Sequence, residues 1–149
     1  MSTPILDTIM ADIKKAMKSK DTDTLLTLRT LHAEIKNVGI NQRKEITDDD
    51  VSSVLAKGIK QRQDAIEQFK KGNRDDLIAK EMQQIEIYKH YQPKQLERSE
   101  IEALAEKVIA ETGATAKNEM GKVMKSLMPL VKGKADGKIV SEIVNSKLQ

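Results

Sequence analysis

The spacing of apolar residues predicts that this chain is helical from end to end. Apolar positions recur every three or four residues almost throughout, and no stretch shows the sustained two-residue alternation that is typical of a half-buried strand. We therefore predict an all-α fold, in which an N-terminal helical bundle is followed by a small C-terminal domain of three helices.

Capping and helix-breaking residues mark where four N-terminal helices begin and end. The predicted starts are Thr3 with Pro4, Asp21, Thr47 with Asp50, and Asp75 or Asp76. The predicted ends are Lys20, Gly39, Gly72 and, at the latest, Pro93. Gly39 is expected to be a C-terminal glycine and Gly72 a left-handed cap. The apolar stripes of these helices, which include Met17 and Met82, are expected to face one core.

A domain boundary is predicted in the polar stretch YQPKQLERS, because Pro93 breaks the fourth helix there. The boundary divides the chain into residues 1–92 and residues 93–149. Three short helices are predicted in the second part. The first stops at Gly113, the second ends before Pro129, and the third is capped by Asp136 and carries Ile139 on its inner face.

Composition excludes several kinds of protein. Charged residues are 33% of the chain and aromatic residues only 2%, which is typical of packed helices with solvated faces. The chain has no cysteine, which excludes a disulfide framework, a thiol nucleophile and a cysteine zinc site. No targeting leader is recognisable, and no apolar run approaches the roughly 18 residues of a membrane span. We expect a soluble cytoplasmic protein without a membrane partner.

The residues offer little for catalysis. His32 and His90 stand alone, without a second ligand at metal-binding spacing, and each is interpreted as an ordinary surface or boundary residue. Neither a serine nucleophile elbow nor a zinc-protease motif is present. We therefore predict no catalytic residue, no metal site and no cofactor.

Lysines are concentrated in the stretch GKVMKSLMPLVKGKADGK, residues 121–138. Between Lys117 and Lys138 there are six lysines and two acids, which gives a formal charge of +4. The candidate phosphate contacts in this stretch are Lys122, Lys125, Lys132, Lys134 and Lys138. A second basic segment, residues 57–74, is also +4 and adds Lys60 and Arg62 as candidates. Such lysines usually form a solvated face, and their clustering in a nearly neutral chain is the argument for nucleic-acid binding.

The glycines of the same stretch do not make a nucleotide-binding loop. Gly133 and Gly137 are separated by three residues instead of four, and no serine or threonine follows Lys138. Gly133 and Gly137 are interpreted as flanking a turn between helices, whereas Gly121 lies inside a helix and would require a close approach of another helix. In the RNA-binding hypothesis, all three let RNA approach the backbone. The methionines at 120, 124 and 128 are interpreted as core residues, with a ligand groove as the alternative.

Two stretches of the sequence resemble known proteins. The run MGKVMKSLMPLVKGKADGKIVSEIV resembles the tail of the B subunit of the glutamine-dependent aminoacyl-tRNA amidotransferase. The run IKQRQDAIEQFKKGNRDDLIAKEMQQIEIYKHYQPKQL resembles the small stand-alone YqeY proteins, and the resemblance extends from about Leu6 to Leu148. The junction departs from the family pattern, with Gln92 before the proline and Glu97 where a serine cap is usual, which could shift the start of the next helix.

The resemblance implies a helical bundle followed by a smaller helical domain that helps to engage tRNA. Our leading hypothesis is a non-catalytic tRNA-binding or amidotransferase-associated module. The alternative is a protein-interaction adaptor that docks on an amidotransferase or synthetase through its methionine-rich helix. A carbon–nitrogen ligase role, with glutamine as amido donor and only as part of a larger complex, ranks last because no nucleophile or ammonia-handling site can be named in the chain.

Overall fold

The structure, a computed structural model, describes residues 3–149. Within these residues every regular element is a helix and no strand occurs, so the predicted all-α class is confirmed. The chain forms two compact units that divide between Gln92 and Pro93. No helix in the described part of the chain combines the length and the apolar character that crossing a membrane requires.

The N-terminal unit is a bundle of four helices. These are α1 (Pro4–Ser19), α2 (Thr22–Gln42), α3 (Asp48–Lys71) and α4 (Asp75–Tyr91). All four contribute to one core, in which α3 and α4 have the most extensive contact. The buried core residues are Ile9, Leu28, Leu31, Ile35, Val51, Leu55, Ile59, Ile85 and Tyr88.

Three of the four predicted helix starts of this unit have the expected cap, whereas α4 begins at Asp75 with Arg74 at the cap position and without a capping side-chain hydrogen bond. The Thr3 hydroxyl accepts a hydrogen bond from the Leu6 N–H. Asp21 caps α2 through the Thr24 N–H. Thr47 and Asp50 form a reciprocal capping box at the start of α3, in which each side chain accepts from the other residue's N–H.

Of the two glycine caps predicted in this unit, the one at Gly39 is wrong, and Gly72 caps α3 without the left-handed conformation that was expected. Helix α2 continues past Gly39 to Gln42, and the left-handed residue is Arg43, with φ of 51°. Gly39 serves packing instead, since a Cβ there would lie 3.2 Å from the Ile46 side chain. Gly72 has φ of −96°, and Asn73 takes the left-handed conformation with φ of 54°. Asparagine tolerates this region because its side chain is short and polar.

Three apolar side chains that the periodicity assigned to the interior are exposed. Met17 is 51% exposed, Met82 is 56% exposed and Ile139 is 39% exposed. Each lies at the edge of its helix's apolar stripe, where neighbouring buried residues complete the core without it. In these helices, the apolar face predicted from residue spacing alone is therefore one residue wider than the face that is buried.

The C-terminal unit packs three helices and one short turn around its own core. The elements are α5 (Arg98–Thr112), a 3₁₀ turn (Lys117–Glu119), α6 (Met120–Val131) and α7 (Gly137–Lys147). The buried residues include Ile101, Ala105, Val108, Val123, Leu127, Val131, Val140, Ile143 and Val144. Helix α5 begins at Arg98 with Glu97 at the cap position, so the departure from the usual serine still yields a helix start there.

The prediction that a helix ends before Pro129 is wrong. Helix α6 continues through Pro129 to Val131. The proline is two residues from the end of the helix, so it removes only the hydrogen bond to the Lys125 carbonyl. Val131 is fully buried in the core, which stabilises the last turn against that loss.

The closest packing of the N-terminal unit is between α3 and α4. A Cβ at Gly58 would lie 2.9 Å from Cδ2 of Tyr88 and still closer to Cε2. Tyr88 is fully buried, so its ring has no space into which it can retreat. Only glycine at position 58 allows the two helices to meet with this ring between them.

We expect Gly58→Ala to lower the free energy of unfolding by about 1–3 kcal/mol, because the added methyl group overpacks the contact with Tyr88. The measurement is urea unfolding followed by circular dichroism. Gly72→Ala is the control, since the nearest atom to a Cβ there is 3.8 Å away. Equal stability of Gly58→Ala and the parent would contradict this account of the helix contact.

Candidate nucleic-acid interface

The five lysines predicted to contact phosphates are all exposed in the C-terminal unit. Lys122 and Lys125 lie on α6, Lys132 and Lys134 lie in the turn after it, and Lys138 lies in the first turn of α7. Within residues 3–149, none of them has a carboxylate within ion-pair distance. We call these five residues the lysine surface.

Helical geometry aligns three of the lysines. Lys122, Lys125 and Lys132 are spaced by three and seven residues, so they follow one exposed stripe of α6 and its immediate continuation. The exposed Pro129 lies in the same stripe. At a rise of about 1.5 Å per residue the stripe is about 15 Å long. The apolar residues of α6 occupy the opposite side, where Val123, Leu127 and Val131 are buried.

Both acids of the basic segment are hydrogen-bonded to the backbone. The Glu119 carboxylate accepts from the N–H groups of Thr115 and Ala116, at 2.6 and 3.1 Å. These bonds hold the pKa of the Glu119 carboxyl below its usual range, with a smaller contribution from the charge of Lys122. Asp136 accepts from the Lys138 N–H at 3.0 Å, which confirms it as the N-cap of α7. Neither acid neutralises a lysine by direct pairing.

The turn that carries Lys132 and Lys134 is held in place by the segment that follows Pro93. The Leu96 N–H donates to the Lys134 carbonyl at 2.8 Å. The Gln95 amide donates to the carbonyls of Pro93 and Gly133, at 2.8 and 2.9 Å. The role of Gln95 could not be predicted from the sequence, because its contact with Gly133 joins residues 38 positions apart.

The three glycines of the segment have different roles. Gly133 has φ of 76°, so the turn needs a residue that adopts the left-handed region. A Cβ at Gly137 would make ordinary contact with Met128, at 3.7 Å. The predicted close helix approach at Gly121 is wrong, since a Cβ there would meet nothing within 4 Å. Gly121 is an exposed, open position near the start of α6.

The second basic segment does not form a comparable surface around Arg62. Lys60 is exposed, but only 12% of the Arg62 side chain is exposed. The guanidinium donates to Gln84 Oε1, to the Gly58 carbonyl and to the Tyr88 hydroxyl, at 3.0, 3.0 and 3.1 Å. It also lies 4.1 Å from the centre of the Tyr88 ring. The Arg62 guanidinium therefore bonds to groups inside the N-terminal bundle and is largely shielded from solvent.

Tyr88 extends this interior network to α2. Its hydroxyl donates to Glu34 Oε2 at 3.1 Å, so a carboxylate and a guanidinium meet at one phenol. Burial and, after it, the charge of Glu34 raise the pKa of Tyr88 to about 12. The residue spacing places Tyr88 in the core but does not indicate its polar partners, since Glu34 and Arg62 lie on two other helices.

The described residues contain no cluster that suggests metal chemistry. Among residues 3–149, no three His, Asp or Glu side chains are close enough together to hold a metal ion. His90 is exposed and its ring packs edge-on against Tyr91, with ring centres 5.0 Å apart.

Comparison with known proteins identifies relatives of this chain. The family model described as Yqey-like protein matches residues 6–148. This match confirms the resemblance to the YqeY proteins.

Curated relatives come from fungi. Altered inheritance of mitochondria protein 41, mitochondrial, of Pyrenophora tritici-repentis is 34% identical over 153 residues, covering 99% of this chain and 82% of that protein. The protein of the same name from Lachancea thermotolerans is 43% identical over 81 residues, and the aligned part is only 43% of its length. An uncharacterized protein of Schizosaccharomyces pombe is 41% identical over 78 residues, 63% of its length. The names of the first two describe mitochondrial proteins, and the cytoplasmic location of this chain stays a prediction.

The burial of Tyr88 and Tyr91 predicts that both phenols titrate at unusually high pH. We expect tyrosinate absorbance to appear near pH 10 in the urea-unfolded chain but only toward pH 12 and above in the folded chain. The reason is that the fold stabilises the neutral phenol, and burial together with Asp12 raises the pKa of Tyr91 in the same direction. The neutral phenols therefore stabilise the fold fully below pH 10, and this contribution is lost as pH rises through 12. Titration of both phenols near pH 10 in the folded chain would contradict the network.

The turn predicts an effect of Gln95. We expect Gln95→Ala to speed hydrogen exchange of the Leu96 amide about two- to tenfold, because the hydrogen bond from the Gln95 amide to the Gly133 carbonyl of the turn is lost. Asn118→Ala, a change at an exposed residue of the same unit, is the control. Unchanged exchange in Gln95→Ala would show that the turn does not depend on this side chain.

Proposed function

This chain belongs to the YqeY-like protein family, and we propose that it binds structured RNA, with transfer RNA as the leading candidate, through the lysine surface of its C-terminal unit. The observation that carries the proposal is the set of five exposed lysines without carboxylate partners in residues 3–149. Lysines without an ion-pair partner gain the most binding free energy from phosphate contacts, because no protein ion pair has to be broken first.

Electrostatics around the α6–α7 turn supports phosphate binding. The two acids of the segment stay charged but accept from backbone N–H groups, and six lysines against two carboxylates leave the segment with a formal charge of +4. The stripe of about 15 Å presents its lysines along a line, which suits the regular phosphates of a nucleic-acid backbone. The exposed Gly121 adds an open position on α6, where the RNA backbone can approach the helix closely.

The distribution of aromatic residues favours shape recognition over the reading of single-stranded bases. The chain has no tryptophan, and its one phenylalanine and two tyrosines all precede Pro93. The C-terminal unit therefore has no ring on which a base can stack, and stacking is the usual basis of single-strand recognition. A folded RNA with ordered phosphates fits this surface better.

Transfer RNA is proposed as the RNA because of where the motif resemblance falls. The run that resembles the amidotransferase B-subunit tail covers α6, the turn and most of α7, which is the part that carries the lysine surface. On this proposal, the chain associates with an amidotransferase or synthetase indirectly, through a tRNA that the chain and the enzyme both bind. Docking through the methionine-rich helix is less favoured, because Met120, Met124 and Met128 are partly buried and packed against the core.

We expect affinity for bulk tRNA to fall with a log–log salt slope of about −4, since five lysine–phosphate contacts release a matching number of counterions. The measurement is fluorescence anisotropy with labelled tRNA over a salt series. The absence of binding at low salt would contradict the proposed function.

Removing three lysines should change the slope in a defined way. In the variant that combines Lys132→Ala, Lys134→Ala and Lys138→Ala, two contacts remain and the slope should shrink to about −2. Circular dichroism checks that the variant is folded.

A matched control variant separates the effect of where the lysines lie from the effect of the lost net charge. Three exposed lysines of the N-terminal unit, none with an ion-pair partner in the described chain, are Lys14, Lys36 and Lys80. Their combined change to alanine removes the same charge and should leave the slope near −4. Equal losses in the two triple variants would mean that RNA binding does not use the lysine surface.

A further inference from the structure

The N-terminal unit contains an open cleft that the lysine surface does not involve. The cleft has a volume of about 430 Å³, within the range of ligand sites. It lies where the end of α1, the start of α2 and the end of α4 meet.

The floor of the cleft is apolar and pre-formed. Ala16 and Leu28 are buried beneath it, and Ile87 is half-buried at its side. The Tyr91 ring completes the wall and is fixed by a 2.5 Å hydrogen bond from its hydroxyl to Asp12. An apolar side chain entering the cleft would therefore meet a surface that is already ordered.

The rim of the cleft is acidic. Asp12, Asp21 and Glu86 line it, and the one lysine among the lining residues is Lys15. Glu86 and Lys15 are exposed and form no ion pair within residues 3–149. The excess of carboxylates favours a cation at the mouth and disfavours a nucleic acid.

Helix ends also reach the cleft, but they add no net negative charge. The carbonyl ends of α1 and α4 carry partial negative charge, and Lys18 and Lys89 in the same last turns offset it. Asp21 caps the positive end of α2. The sign of the rim therefore comes from its three carboxylates.

We propose that this cleft docks a basic amphipathic helix of a partner protein. Such a helix inserts one or two apolar side chains against Ala16, Leu28 and Ile87 while its lysines or arginines face the rim. A free cation would leave the floor uncovered, and an apolar segment alone would leave Glu86 unmatched. The proposal does not depend on RNA binding, because the residues involved are separate from the lysine surface.

The test uses the full chain and a synthetic helical peptide with leucines on one face, lysines and arginines beside them, and one tryptophan. Because the protein has no tryptophan, the fluorescence reports the peptide alone. A peptide of the same pattern with glutamates in place of the basic residues is the control. We expect the basic peptide to bind and the acidic peptide to bind at least tenfold more weakly at low salt.

Two charge reversals at the rim should act in opposite directions. Glu86→Lys should weaken binding of the basic peptide about fivefold and Lys15→Glu should strengthen it about fivefold, with both effects shrinking as salt rises. Both residues are exposed, so neither change is expected to disturb the fold.

Several outcomes would overturn the proposal. These are failure of the basic peptide to bind, equal binding of the acidic peptide, or a shift in the same direction for both reversals. Binding that is lost in the variant of Lys132, Lys134 and Lys138 would also overturn it, since the peptide would then not occupy the cleft. Peptide binding that survives in that variant while tRNA binding is lost would support both proposals separately.

Discussion

The first turn of a helix leaves backbone N–H groups that need acceptors, and this chain supplies them largely with acidic and hydroxyl side chains. Asp21 and Thr47 serve this purpose in the N-terminal unit. In the C-terminal unit, Glu119 and Asp136 accept backbone hydrogen bonds before the 3₁₀ turn and at the start of α7. The interactions that determine where these elements begin also occupy the only acids of the lysine segment. Both acids stay charged, but within residues 3–149 they form no ion pair with the lysines of the α6–α7 face.

Basic residues have two different roles in the molecule, and their surroundings decide which. Lys60 and Arg62 are two positions apart on α3, yet one is exposed and the other is enclosed by Gly58, Gln84 and Tyr88. A guanidinium suits the enclosed position because its planar fork satisfies three acceptors at once. The lysines of the C-terminal unit have no such partners. A count of charges along the chain cannot separate these cases, since the two side-chain partners of Arg62, Gln84 and Tyr88, are 22 and 26 residues away.

Features encoded over three or four residues were predicted well from the sequence. The capping box of Thr47 and Asp50 and the cap at Asp136 are patterns of this kind. The wrong predictions concern positions whose conformation depends on tertiary packing. Helix α6 continues through Pro129 because Val131 packs in the core, and Gly39 lies inside α2, where a Cβ would crowd Ile46. The lysine surface could be listed from the sequence, but the Gln95 contacts that hold its turn depend on the tertiary fold.

The two units present surfaces of opposite sign, lysines on one and a carboxylate-rimmed cleft on the other, which suits a protein that joins a nucleic acid to a basic protein partner. RNA binding by the lysine surface can be tested by an NMR titration of the isotope-labelled chain with unlabelled tRNA at low salt. We expect the shifted backbone amides to cluster between residues 121 and 138. Shifts confined to residues 3–92, or spread evenly over both units, would contradict it.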